Sequence, residues 1–180
     1  NWGTLDTSGV TYFYSMFQNC TSLTSLDLSN FKTNSGTQFQ SMFNGCENLS
    51  SVNLSSFNTE KASRMDGMFK GCQSLTSIDL NNFSIPEVTT MQEMFRGDST
   101  LTTIVFGDNL NSAKCTNFYL TFHGCPKLTT VDASKLNTQS ATTMRSMFNG
   151  CRSLSSINVS GFVTDNVTST IGMFKECESI

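Results

Sequence analysis

Six of the seven cysteines recur at one position of a repeat, so thiol chemistry is the first possibility to weigh. They are Cys20, Cys46, Cys72, Cys125, Cys151 and Cys177. Stacked repeats could bring such residues close enough for disulfides, because bridged Cα atoms lie about 4.4–6.8 Å apart. Asp98 takes the same position in the fourth repeat, however, and leaves two runs of three cysteines that cannot pair completely. Cys115 has no partner at its own position. We therefore favour reduced, buried thiols that act as small apolar residues.

Other residues suited to chemistry are sparse. No two cysteines have the close spacing of zinc ligands, so we expect no metal site and no cofactor. His123 is the only histidine, and no Ser, Cys or carboxylate is spaced with it to suggest a catalytic triad. Because no nucleophile, base or phosphate-binding loop emerges from the repeat positions, we expect that the protein is not an enzyme.

The fourth repeat departs most from the others. Asp98 must either turn outward or find a buried partner, since an unpaired buried carboxylate is costly. Gly107-Asp108-Asn109 accommodates one extra residue, which should bulge from the end of a strand because these residue types favour turns. The irregularity around Asp98 and Asp108 is either a ligand or calcium site or, as we favour, drift in a surface turn.

The elements that position these residues follow from a period in the sequence. It is marked by Phe17, Phe43, Phe69, Phe95, Phe122, Phe148 and Phe174. Successive phenylalanines lie 26 residues apart, with a single step of 27 between Phe95 and Phe122. A fixed period of this size is typical of supersecondary units that stack around a continuous core.

Each unit is predicted to contain one strand and one short helix. Leu49, Val52, Leu54 and Phe57 show the strand half, in which apolar and polar residues alternate. Val88, Met91, Met94 and Phe95 show the other half, an apolar stripe with helical spacing. Its start is marked by a hydroxyl that could cap a helix, at Thr11, Thr37, Ser63, Thr89, Thr116, Thr142 and Thr168. Its end is marked by residues that tolerate a left-handed backbone, namely Asn19, Gly45, Gly71, Gly97, Gly124 and Gly150, with Glu176 as an exception.

A helix of two turns needs neighbours to be stable, so the units must stack with parallel strands. The predicted fold is a right-handed α/β solenoid of about seven units.

The repeat also resembles a known family. The string MFxxCxSLTxLDLSxFxT, complete over residues 16–33, is similar to the BspA-like surface-protein variety of the leucine-rich repeat, and variants of it cover essentially the whole chain. This resemblance implies a leucine-rich-repeat-like solenoid and a cell-surface or extracellular protein used in adhesion or host contact. The implied partner is a host or matrix protein or glycan.

The outward positions of the strands form the candidate binding face. We predict that it is lined by Ser25, Asp27, Ser51, Asn53, Ser77, Asp79, Thr103, Thr130, Asp132, Ser156 and Asn158. The concave sheet of such solenoids is their usual binding surface, which favours a glycan or protein ligand. The alternative is that these small polar residues only hydrate one face of a sheet. Aromatic anchors of the kind that dominate tight protein interfaces are absent from it.

Composition and chain ends narrow the function further. The net charge is -3 and only 14% of residues are charged, so nucleic acid is not an expected partner, and no apolar run is long enough for membrane insertion. We expect residues 1–180 to form one repeat domain whose ends lack polar caps, with Trp2 in the strand position of Leu28, and to be an excerpt of a longer protein. Two functions follow: a non-catalytic surface binding or adhesion module, or a structural spacer or subunit that polymerises head to tail through its bare ends.

Overall fold

The computed structural model describes residues 4–180, so the strand position expected for Trp2 lies outside the described residues. Six short strands follow one another along the chain: β1 (Ser25–Asp27), β2 (Ser51–Asn53), β3 (Ser77–Leu80), β4 (Thr103–Phe106), β5 (Thr130–Asp132) and β6 (Ser156–Asn158). A 3₁₀ turn, Ala133–Lys135, follows β5. The strands pair in parallel as β1–β2, β3–β4 and β5–β6, each register joining equivalent repeat positions. This arrangement is the stacked solenoid that the period predicts.

The phenylalanine column forms the centre of the core. All seven rings stack on their neighbours, with centroids 5.1–5.6 Å apart and ring planes within 10° of parallel. Such offset stacking adds to the burial of the rings themselves. The six rings from Phe17 to Phe148 are buried, whereas Phe174 in the last rung is 41% exposed. We call one such stacked unit a rung and number the rungs by their phenylalanine, so that Phe95 lies in the fourth.

The predicted helix of each unit is wrong. No α-helix is present among residues 4–180, and the segment before each strand is instead a chain of overlapping turns, which we call the turn chain. In the second rung the N–H groups of Phe39, Ser41, Phe43 and Gly45 donate to carbonyls of the next rung, at 2.8–3.0 Å. The N–H groups between them close turns three residues back. Because alternate N–H groups leave the segment, the i to i−4 bonds of a helix cannot form.

The backbone of the turn chain explains the error. Each turn chain contains two residues with positive φ, four positions apart, such as Ser41 (φ 55) and Gly45 (φ 75). The left-handed conformation expected at Gly45 and its equivalents is therefore confirmed, but it closes a turn and not a helix. Met91, Met94 and Phe95 are buried as expected, because a chain of turns also brings residues three and four apart to one side.

The predicted helix caps are hydrogen bonds between rungs. The Thr37 hydroxyl donates to the Thr11 carbonyl at 3.2 Å, and the Ser63 hydroxyl to the Thr37 carbonyl at 3.0 Å. A second hydroxyl column, at the position of Thr59, is buried. Thr59 donates to the Ser84 carbonyl at 2.7 Å and accepts the Ser84 N–H at 3.0 Å. These hydroxyls form hydrogen bonds with main-chain N–H and C=O groups of the loops, which have no neighbouring strand to pair with.

Candidate functional site

The structure places all eleven residues of the predicted binding face on one exposed surface, which we call the strand face. They are Ser25, Asp27, Ser51, Asn53, Ser77, Asp79, Thr103, Thr130, Asp132, Ser156 and Asn158. The residues between them point inward, as Leu26, Ile78 and Ile104 do. In the fourth rung the acidic or amide position is taken by Val105, which is 40% exposed and interrupts the polar column.

The acidic and amide residues of the strand face also accept hydrogen bonds from the backbone that follows their strands. The carboxylate of Asp27 accepts the N–H of Ser29 at 3.0 Å, and that of Asp79 accepts the N–H of Asn81 at 2.9 Å. Asn53 makes the same contact with Ser55 at 3.1 Å. The hydrogen bond from Ser29 lowers the pKa of Asp27, so this carboxylate is charged at neutral pH. Each of these side chains keeps one oxygen or amide group directed to solvent, while the serines and threonines beside them display hydroxyls.

A break in the sheet opens a shallow pocket on the strand face. Among the described strands, no hydrogen-bonded ladder joins β2 to β3. The resulting pocket has a volume of about 230 Å³ and is lined by Val52, Asn53, Leu54, Ser55, Asp79, Asn81 and Asn82. The candidate residues Asn53 and Asp79 therefore meet at one pocket, which alternation along single strands could not predict.

A larger groove, which we call the amide groove, lies on the loops that follow β2, β3 and β4. Its volume is about 520 Å³, and it is lined by Phe57, Asn58, Thr59, Glu60, Asn82, Ser84, Asn109 and Asn111. Asn82 also lines the pocket on the strand face, so the two depressions adjoin. The sequence analysis did not identify this groove. The sequence does show two features beside it, the extra residue near Asn109 and an isoleucine, Ile85, at the repeat position of Thr59.

The turn chains carry a charged cluster that sequence analysis also missed. Glu93 accepts hydrogen bonds from Lys70 and from Arg96, the latter at 2.8 Å. Burial opposes ionisation of Glu93, but the two cations outweigh it and lower its pKa. Arg64 pairs with Asp66 through two hydrogen bonds of 2.9 Å. These ion pairs join neighbouring rungs or stiffen one of them.

The cysteine column is part of the core. All seven cysteines of the chain lie among the described residues and are free, and five of them are buried: Cys46, Cys72, Cys115, Cys125 and Cys151. Cys177 is half-buried, and Cys20 is exposed. The Cys46 thiol donates to the Phe17 carbonyl at 3.0 Å, and burial raises its pKa to about 11. Thiols in this state are poor nucleophiles, which agrees with their interpretation as small core residues.

Asp98 does not turn outward. It is fully buried, with one carboxyl oxygen accepting the Cys72 N–H at 2.8 Å and the other without a hydrogen-bond partner among residues 4–180. Burial raises its pKa well above the ordinary value. Asp108, by contrast, is exposed and pairs with Lys135 at 2.6 Å. Within the described chain no group of three or more His, Cys, Asp and Glu side chains gathers to hold a metal ion.

His123 is half-buried at the surface. Burial and the neighbouring Arg96 lower its pKa, so the ring is neutral at neutral pH. Its Nδ1 atom has no hydrogen-bond partner among the described residues. From residue 4 onward, no helix is long and apolar enough to cross a bilayer.

The stacked parallel strands, repeating inward leucines and exposed polar face define a leucine-rich-repeat solenoid. A leucine-rich repeat protein from T. pallidum has a similar fold, with a TM-score of 0.58 and 17% identity over 95% of this chain and 72% of that one. One from Eubacterium ventriosum gives a TM-score of 0.49 and 19% identity over 85% of this chain and 42% of that one. The chain belongs to the family described as "Mycoplasma protein of unknown function, DUF285", which matches residues 1–105 and 107–180. Among curated proteins nothing matches. The resemblance to BspA-like leucine-rich repeats is thus confirmed.

Proposed function

We propose that this chain is a non-catalytic binding module of a cell-surface protein, which presents the strand face to a protein or glycan ligand. The proposal draws on the family resemblance for location and on the fold for the binding mode. Repeat solenoids bind through extended surfaces built from equivalent positions of successive units. Here the equivalent positions are exposed, polar and evenly spaced.

The observation that carries the proposal is the placement of eleven small polar residues on one exposed face. Five of them, the Asp and Asn residues, are held by a hydrogen bond to the backbone two residues further on. Binding groups that are already ordered lose less conformational entropy when a ligand arrives. Since no exposed aromatic ring lies on this face within residues 4–180, its affinity must come from many weak polar contacts across several rungs.

Substitution on the strand face tests the proposal. Ser77 makes no side-chain hydrogen bond within the described residues, so Ser77→Arg should add bulk to the face without disturbing the fold. The matched control is Tyr14→Arg, which alters a 53% exposed residue of a turn chain. We expect a ligand found in panels of matrix proteins and immobilised glycans to bind Ser77→Arg at least about tenfold more weakly than the control. Equal binding by both variants, or panels without any ligand, would contradict the proposal.

A second candidate is a spacer or a subunit that assembles head to tail. It is favoured by the lack of an exposed aromatic anchor on the described part of the strand face. Light scattering across protein concentration separates the candidates, because assembly must increase the mass with concentration and a constant monomer mass excludes it.

A further inference from the structure

We propose that the amide groove is a binding site for a neutral oligosaccharide, an inference that rests on the proposed binding function and gives it a location. The groove adjoins the strand face through Asn82, so a ligand that occupies it can extend onto the predicted surface. Two departures from the repeat pattern lie beside the groove, one in the third rung and one in the fourth.

The first departure is the loss of a hydroxyl bridge. In the first, second, fourth and fifth rungs a buried hydroxyl joins the loop to the next rung, as Ser112 does by donating to the Asn137 carbonyl at 3.0 Å and accepting its N–H at 2.8 Å. Ile85 occupies this position in the column and is buried, but it has no hydroxyl with which to bridge to Asn111. The loops of the third and fourth rungs are therefore not joined at this point.

The second departure is the extra residue after β4. A Cβ atom on Gly107 would lie 2.0 Å from the Asn81 carbonyl oxygen, so only glycine allows this close approach of the two rungs. Just beyond it the chain turns at Asp108 and Asn109, both of which are exposed. The third and fourth rungs are thus in close contact at Gly107 but have no hydroxyl bridge at Asn111, and both Asn109 and Asn111 line the groove.

The lining of the groove selects the class of ligand. Asn109 makes no hydrogen bond within the described chain, so both its donor and its acceptor are free. Asn58 and Asn111 use their oxygens for the N–H groups of Glu60 and Ala113, which leaves their amide N–H groups free. Asn82 donates to the Leu54 and Phe57 carbonyls, which leaves its oxygen free. Mixed donors and acceptors of this kind match hydroxyl groups, each of which both donates and accepts.

Other ligand classes fit less well. None of the lining residues is Lys, Arg or His, so phosphate or sulfate groups have no cation to meet. The one apolar side chain in the lining, Phe57, is only 3% exposed, so a peptide side chain has no apolar pocket for an anchor. A sugar chain can use the free amide groups of the groove, because its hydroxyls can bridge successive rungs.

Side-chain amide signals in NMR spectra provide the test. The probes are hexasaccharides of β-1,4-glucan, β-1,3-glucan and N-acetylglucosamine, with a heparin-derived hexasaccharide and a Gly–Ser hexapeptide for comparison. We expect at least one neutral sugar to shift the amides of Asn58, Asn82, Asn109 and Asn111, with a dissociation constant of about 1 mM, as a few net hydrogen bonds allow. Asn109→Ala should weaken this binding about three- to tenfold. Asn34→Ala, at an exposed residue that also makes no hydrogen bond in the described chain, should leave it unchanged.

The other outcomes overturn the inference in distinguishable ways. Shifts at Ser51, Ser77 and Thr103 with the groove amides unmoved would reject the groove but support the proposed strand face. Shifts of the groove amides by the heparin fragment or the peptide alone would reject a neutral sugar as the ligand. Equal weakening by Asn34→Ala would show that the binding does not use the groove, and no shift with any neutral sugar would reject the site outright.

Discussion

Asp98 is the residue whose environment differs most from that of its equivalents. Its position in the other six rungs is occupied by cysteine, whose thiol can donate to a phenylalanine carbonyl of the preceding rung. The sequence alone shows the exchange of Cys for Asp and limits Asp98 to two outcomes, exposure or a buried partner. It could not show that only one carboxyl oxygen would find a partner, because that depends on the position of the Cys72 N–H group.

Replacing Asp98 should make stability less dependent on pH. The raised pKa means that the folded state binds a proton more tightly than the unfolded chain, so the free energy of unfolding falls as pH rises above the ordinary value of 3.8. Asp98→Cys restores the column and should raise the free energy of unfolding at pH 7 by about 1–3 kcal/mol, the cost of an unsatisfied buried polar group. The gain should shrink towards pH 4.

Urea denaturation at pH 4, 5.5 and 7 measures this dependence. Asn34→Ala supplies the control, since Asn34 is exposed and does not ionise, so this variant should retain the pH profile of the unchanged protein. A profile for Asp98→Cys that runs parallel to that of the unchanged protein at all three pH values would show that folding does not raise the pKa of Asp98.

At the level of elements, the strands could be predicted from sequence and the turn chains could not. Alternation of apolar and polar residues places Leu26 and Ile78 inside and their neighbours outside, and no other common secondary structure produces this pattern. Apolar residues three and four apart fit a helix and a chain of turns equally well. The signal that separates them is the residue in the middle of the segment, which is Gly67 in one rung and Gly172 in another, because glycine is unfavourable inside a helix.

Glycine substitution in a turn chain tests the corrected element. Ser41 adopts φ 55, a conformation that costs a non-glycine residue free energy. We expect Ser41→Gly to raise the free energy of unfolding by about 0.5–1 kcal/mol, as measured by urea denaturation. If this segment were helical, the same change would be destabilising.

Gly45 provides the opposite substitution in the same turn chain. It has φ 75, and a Cβ atom there would lie 2.4 Å from Asn19 Oδ1, so Gly45→Ala should be destabilising. Gly9→Ala is the neutral control, because nothing lies within 4 Å of its Cβ position. Stabilisation by Gly45→Ala would contradict the turn geometry.

In the candidate site, features within one element could be predicted from the sequence, whereas features formed between elements could not. Exposure of the strand face follows from alternation within each strand and was predicted for residues such as Ser77 and Asp132. The amide groove is lined by the loops of three successive rungs. Ile85 and the step of 27 residues mark the place in the sequence, but which side chains line the groove depends on how the three loops pack.

At the scale of the whole molecule, stability depends on contacts between adjacent rungs, as in other solenoids. Phe95 has a stacked ring on each side and is fully buried, whereas Phe174 stacks on one side only and is 41% exposed. We expect Phe95→Ala to lower the free energy of unfolding by about 3–5 kcal/mol. Phe174→Ala should cost clearly less. Thermal and urea unfolding of the two variants measures the difference, and similar losses would be inconsistent with a continuous ring stack.

The right-handed path of the solenoid stays a prediction from the general preference of parallel crossovers. The number of rungs and their stacking order, in contrast, are visible in the ring contacts from Phe17 to Phe174. Both the strand face and the amide groove exist only if successive rungs lie in this order.

A nuclear Overhauser spectrum of the protein in solution tests the stacking most directly. The account predicts cross-peaks between backbone protons of residues one repeat apart, such as Gln38 and Arg64, and between rings such as those of Phe43 and Phe69. It also predicts a positive φ at Ser41 from scalar couplings. Sequential helical cross-peaks through residues 37–45, without contacts between rungs, would contradict it.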